Sequence, residues 1–160
     1  MEIGVDIILE RLYAAEDLLQ TQADALDTKA GILLAILTFL ADFVTHLQFS
    51  PVIFIVVVVL LSISGLLSAL PLMILKYKAE DAVRLEANRN RVVKENAGLP
   101  KQEVEEAFKL GLIAASTDRV RDNGKFNQRK AKMVKASYIL LLFALILSIA
   151  QMAIHAPNVH

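Results

Sequence analysis

The chain has no cysteine and no tryptophan, and its three histidines include two near the C-terminus, His155 and His160. Without cysteine there is neither a disulfide nor a thiolate nucleophile, which fits a cytoplasm-facing protein. No glycine-rich phosphate loop, no HExxH and no serine nucleophile beside a base can be found. These absences argue against an enzyme, and no cofactor or resident metal is expected. A secretory leader is not expected either, because the first apolar run begins at Ala30, after an acidic segment. Lipidation motifs, internal repeats and low-complexity tracts are also missing, and Val56–Val59, the one β-branched run, lies inside a stretch too long for a strand.

What is present is apolar: 56% of the 160 residues are hydrophobic, above the share usual for a soluble domain. Three runs, 30–49, 52–75 and 136–154, reach the roughly 20 residues that cross a bilayer's hydrocarbon. The fold class expected is an all-α membrane protein with three transmembrane helices. Ser50-Pro51 turns the chain between the first two spans, with Pro51 suited to the first helical position. In the second span, Ser64/Ser68 and Gly65/Ala69 are small-xxx-small pairs that permit close helix approach, and Pro71 lies near its exit.

Charge is neutral in total but divided along the chain. Residues 1–29 carry two basic against seven acidic residues, a net −5; residues 76–135 carry fifteen basic against nine acidic, a net +6. The loop 45–51 and the tail 155–160 hold no Lys or Arg. The positive-inside rule then puts the N-terminus and 76–135 in the cytoplasm and the tail 155–160 outside. Residues 1–29 read as an amphipathic helix continuous with the first span. The 76–135 segment reads as a basic helical hairpin, with Gly98 and Pro100 at its tip and Asn123-Gly124 breaking the return arm.

The stretch 20–49 joins the acidic segment to the first span. Gln20, Asp24, Asp27, Gly31, Ala35, Thr38, Asp42 and Thr45 recur every three or four residues, so one face of a helix stays polar or small for about seven turns. The opposite face carries Leu26, Leu33, Ile36, Leu37, Leu40 and Val44. A carboxylate within a membrane helix is costly and faces a cavity, a partner or water. Gly31, Thr38, Asp42, Thr45 and His46 are therefore candidate pore-lining residues, and Gln20, Asp24 and Asp27 a cytoplasmic vestibule. The competing readings are a polar cluster that holds helices together, with Gln151 at similar depth, and an incomplete metal half-site of Asp42 and His46.

Arg84, Arg89, Arg91, Arg119, Arg121 and Lys125 form a second set, suited to phosphate. Pairing with the acidic N-terminal helix explains the same charges without any ligand. Lysines near the span ends, Lys76, Lys78, Lys132 and Lys135, suit lipid headgroups.

Asp27-Thr28-Lys29-Ala30 at the mouth of the first span, a short outer turn, a charged hairpin, and Asn127-Gln128-Arg129-Lys130 leading to a Tyr138-bearing third span together resemble the Pycsar-type transmembrane effectors. The resemblance covers nearly the whole chain. It implies a bacterial inner-membrane effector in antiphage nucleotide signalling, answering a nucleotide or short oligonucleotide made by a partner nucleotidyltransferase or cyclase. With the residue reading, the expectation is a homo-oligomeric channel in the lipid bilayer, since one three-span subunit cannot enclose a wide pore. The alternatives are a non-conducting membrane scaffold or accessory subunit and, more remotely, a holin-like lysis protein.

Overall fold

The computed structural model describes residues 2–46, 50–74 and 82–155, leaving out the side chains of residues 2, 3, 74, 82–85 and 155. The elements are four helices: α1 (Glu2–Thr45), α2 (Pro51–Ile74), α3 (Ala82–Glu95) and α4 (Lys101–His155). No strand occurs among the described residues. Helices α1, α2 and α4 are each long and apolar enough to cross a membrane. The chain divides into two units, Met1–Gln22 with Tyr77–Asn127 and Ala23–Lys76 with Gln128–His160; α1 and α4 contribute to both.

In the second unit, three helix segments pack around Ala30, Leu33, Leu37, Val44, Val57, Leu61, Val134, Leu141 and Ala144. Much of the rest of the interior is polar: Ser64, Ser68, Ser137, Ser148 and Gln151 are buried. The outside is greasy, with Phe39, Val52, Leu66, Met73, Ile149 and Ile154 among the large exposed apolar side chains. Apolar outside with small and polar inside is the arrangement a bilayer favours, because lipid does not drive apolar side chains inward. Hydroxyls of Ser64 and Ser137 each donate to the other's carbonyl, at 2.9 and 2.8 Å, and Ser68 joins them through the Ser137 hydroxyl. Side chains this small bring α2 and α4 close, and the bonds satisfy groups that lipid cannot. Ser50 and Pro51 open α2, with the Ser50 carbonyl accepting from Phe54 N–H at 3.0 Å.

In the first unit, α3 ends at Glu95 and a tight turn leads into α4. Asn96 closes α3 by donating from its side chain to the Val92 carbonyl at 2.9 Å, and the Pro100 carbonyl accepts from Glu103 and Val104. The break expected at Asn123-Gly124 is absent: α4 runs through it unbroken. Intrinsic propensity disfavours these two residues by about 1 kcal/mol or less each. Asn123 is fully buried with its side chain engaged, and such packing overrides a penalty of that size.

Burial follows one rule in three helices. In α1 the rows Leu9, Glu16, Ala23, Ala30, Leu37, Val44 and Val5, Leu12, Leu19, Leu26, Leu33, Leu40, each at steps of seven, are all buried or half-buried. In α4 the buried row is Ser116, Asn123, Lys130, Ser137, Ala144 and Gln151; in α2 it is Val57, Ser64 and Pro71. A repeat of 3.5 residues is that of left-handed coiled coils.

Candidate functional site

The α1 stripe is a surface feature of the protomer. Gln20, Asp24, Gly31, Thr38, Asp42, Thr45 and His46 are all exposed, whereas Leu33, Leu37 and Val44 on the opposite face are buried. Local bonds quiet much of its polarity. Thr38 donates to the Leu34 carbonyl at 2.9 Å and Thr45 to that of Asp42 at 2.6 Å. His46 lies just past the helix end with Nδ1 2.9 Å from the same Asp42 carbonyl; a proton on Nδ1 makes this a C-terminal cap. The Asp42 carboxylate is different: it has no partner among the described residues. An acid in the last turn is also on the unfavourable side of the helix dipole, and no basic residue offsets it there. Among the described residues, no three His, Asp or Glu side chains gather as a metal site would require.

Asp27 departs from the stripe. Lys130 Nζ donates to both of its carboxylate oxygens at 2.8 Å, with 4% of the lysine side chain exposed and 35% of the aspartate's. Two further pairs join α1 to α4: Lys109 to Asp6 at 3.0 Å and Arg119 to Glu16 at 3.0 Å. All three pairs have the same offset of 103 residues. Within the first unit, the two pairs there make α1 and α4 parallel, and Asn127 adds a bond to the Leu19 carbonyl at 2.7 Å.

The candidate phosphate-binding residues do not converge. The Arg84 side chain lies outside the described residues. Arg119 is committed to Glu16 and Ser116, Arg121 to Asp118 one turn away, and Arg91 to Glu95 at 3.7 Å. Lys125 is exposed. Arg89 alone of the set lines a cavity of about 750 Å³ in the first unit. That cavity adds two cations that charge clustering did not single out, Lys101 and Lys109, beside Leu9, Val93 and Phe108. Lys109, Lys130 and Ser137 share one legible signal, the seven-residue spacing of polar residues along α4.

No curated protein and no solved structure matches the chain. Residues 11–155 match the family model of the Pycsar effector protein domain, PycTM. The match takes in α2, α4 and α1 from residue 11 onward, with both stretches, Asp27–Ala30 and Asn127–Lys130, that the Asp27–Lys130 pair ties together. The chain therefore belongs to the PycTM family of Pycsar effector proteins, membrane effectors of antiphage defence.

Proposed function

We propose that copies of this protein assemble in the bacterial inner membrane into a channel lined by the α1 stripe. Gly31, Thr38, Asp42, Thr45 and His46 face its lumen, with Gln20 and Asp24 at the cytoplasmic mouth. Asp27, held by Lys130, borders that mouth as part of the wall. The segments 1–29 and 76–135 form a cytoplasmic layer, the tail 155–160 lies outside, and the layer gates the pore on a nucleotide or short oligonucleotide signal from a partner nucleotidyltransferase or cyclase.

The observation that carries this reading is the exposed Asp42 carboxylate in the apolar half of α1, unpartnered among the described residues. Facing lipid, an aspartate costs about 2.5–3.5 kcal/mol at a helix centre and less toward the interface. Facing water in a lumen, it costs little and attracts cations. The positive-inside rule supports the orientation. Asp42→Asn is expected to reduce cation selectivity in planar bilayers containing the purified protein, and to change toxicity on induction. Unchanged reversal potentials and conductance would remove Asp42 from the lumen and favour a non-conducting scaffold.

A further inference from the structure

The cavity in the first unit has two kinds of wall. Val93, Leu99, Phe108 and Leu112 form an apolar side, and Arg89, Lys101 and Lys109 supply three cations against one acid, Glu105. Arg89 and Lys101 have no acidic partner among the described residues. Lys109 meets Asp6 at 3.0 Å and Glu105 at 3.7 Å. A volume of about 750 Å³ lies within the range of pockets that enclose one small ligand. Helix α1 takes part twice: Leu9 lines the wall, and Asp6 holds a cation that also lines it.

We propose that this cavity is the receptor site for a single nucleotide, its base against Phe108 and Leu112 and its phosphate on Arg89 and Lys101, and that binding exchanges Asp6 for phosphate at Lys109. The proposal rests on the reading that the protein answers a nucleotide signal. The chemistry favours the exchange. The Asp6 side chain is 59% exposed, and ion pairs that open to water are weak and readily replaced. A phosphate in the cavity meets three cations at once, with charge-assisted bonds stronger than neutral ones. The exchange has a mechanical result, because Lys109–Asp6 is one of the two ion pairs that register α1 against α4 in this unit. Ligand arrival would free the start of α1, the same helix that carries the stripe.

The test is equilibrium binding to the full-length protein in detergent. The probes are the four nucleoside 5′-monophosphates, their 3′,5′-cyclic forms, a dinucleotide and inorganic phosphate. One mononucleotide should bind more tightly than phosphate or the dinucleotide, and affinity should fall with added salt. Arg89→Ala combined with Lys101→Ala should weaken it by about tenfold or more. Leu112→Trp, which fills the cavity without touching charge, should also weaken it. Asp6→Asn should tighten binding by removing a competitor for Lys109. Arg11→Ala, exposed and outside the cavity, should leave it unchanged, and thermal melting should show each variant folded.

If the wild type binds a mononucleotide and the cavity variants bind it equally well, the cavity is not the site, while the nucleotide reading survives. Tighter binding of the dinucleotide would overturn the single-nucleotide assignment. An Asp6→Asn variant with wild-type affinity would overturn the exchange. If the wild type binds none of the probes, the nucleotide reading fails and this proposal fails with it.

Discussion

Lys130 is buried, with only 4% of its side chain exposed, and Asp27 meets it there with two oxygens at 2.8 Å. Both residues belong to short motifs visible in the sequence, and charge balance between the acidic N-terminal segment and the basic hairpin arm pointed to pairing of this kind. The individual partners were not legible, because they lie 103 residues apart and local spacing carries no such information. Asp27 was placed with the polar stripe on periodicity alone. Periodicity reports the side of a helix a residue occupies, not what approaches that side. Lys130→Gln is expected to destabilise the protein by about 3 kcal/mol, toward the low end for a buried pair because Asp27 keeps some solvent. Asp27→Leu with Lys130→Met should recover most of that loss, since two apolar side chains leave no stranded charge. Reversible unfolding of each variant in mixed micelles measures both; additive losses in the double variant would show that the two residues do not act as a pair.

At the scale of the helix, length and apolar content made α2 and the spanning part of α4 legible, and the alternation of polar and apolar faces made α1 so. The continuity of α4 was not legible, because Asn-Gly is read as a stop and its burial depends on partners elsewhere in the fold. The heptads of α4 also escaped notice for a physical reason. A search for core positions looks for apolar residues, whereas the inner row here is Ser116, Asn123, Lys130, Ser137 and Gln151, with one Ala144. In the apolar run of α4, Ser137, Ala144 and Gln151 follow the membrane pattern, in which small and polar residues turn inward and the usual sign is reversed. Helical Gly124 gives a direct check. A Cβ at this position would meet nothing within 4 Å, so alanine adds helix propensity without a clash. Gly124→Ala should stabilise the protein by roughly 0.5–1 kcal/mol in the same unfolding assay. Loss of stability would mean that the chain needs the flexibility of a glycine there.

For the molecule as a whole, the absence of native cysteine makes single-cysteine probes clean. If several copies turn the α1 stripe toward one centre, Thr38→Cys should form disulfide-linked dimers in oxidised membranes. Ile149→Cys, also exposed on the protomer but apolar and on α4, should not. Cross-linking at Ile149 alone would place the contact between copies on α4 and leave α1 facing elsewhere. The family was legible in short motifs and the order of the segments, and the three spans in composition and length; the cavity was not, because helices α1, α3 and α4 each bring only part of its wall.

The constant offset between acids on α1 and bases on α4 limits how these helices can move. Sliding α1 forward by one heptad, about 10 Å, keeps the faces aligned but sets Asp6 against Ser116, Glu16 against Phe126 and Asp27 against Ser137. Sliding it back sets them against Gln102, Leu112 and Asn123, and again every ion pair is lost. Within either unit, a stroke of one heptad therefore leaves these acids facing uncharged side chains. Register between the two helices is thus set within each unit by charge as well as by shape, and a one-heptad slip keeps the second at the expense of the first.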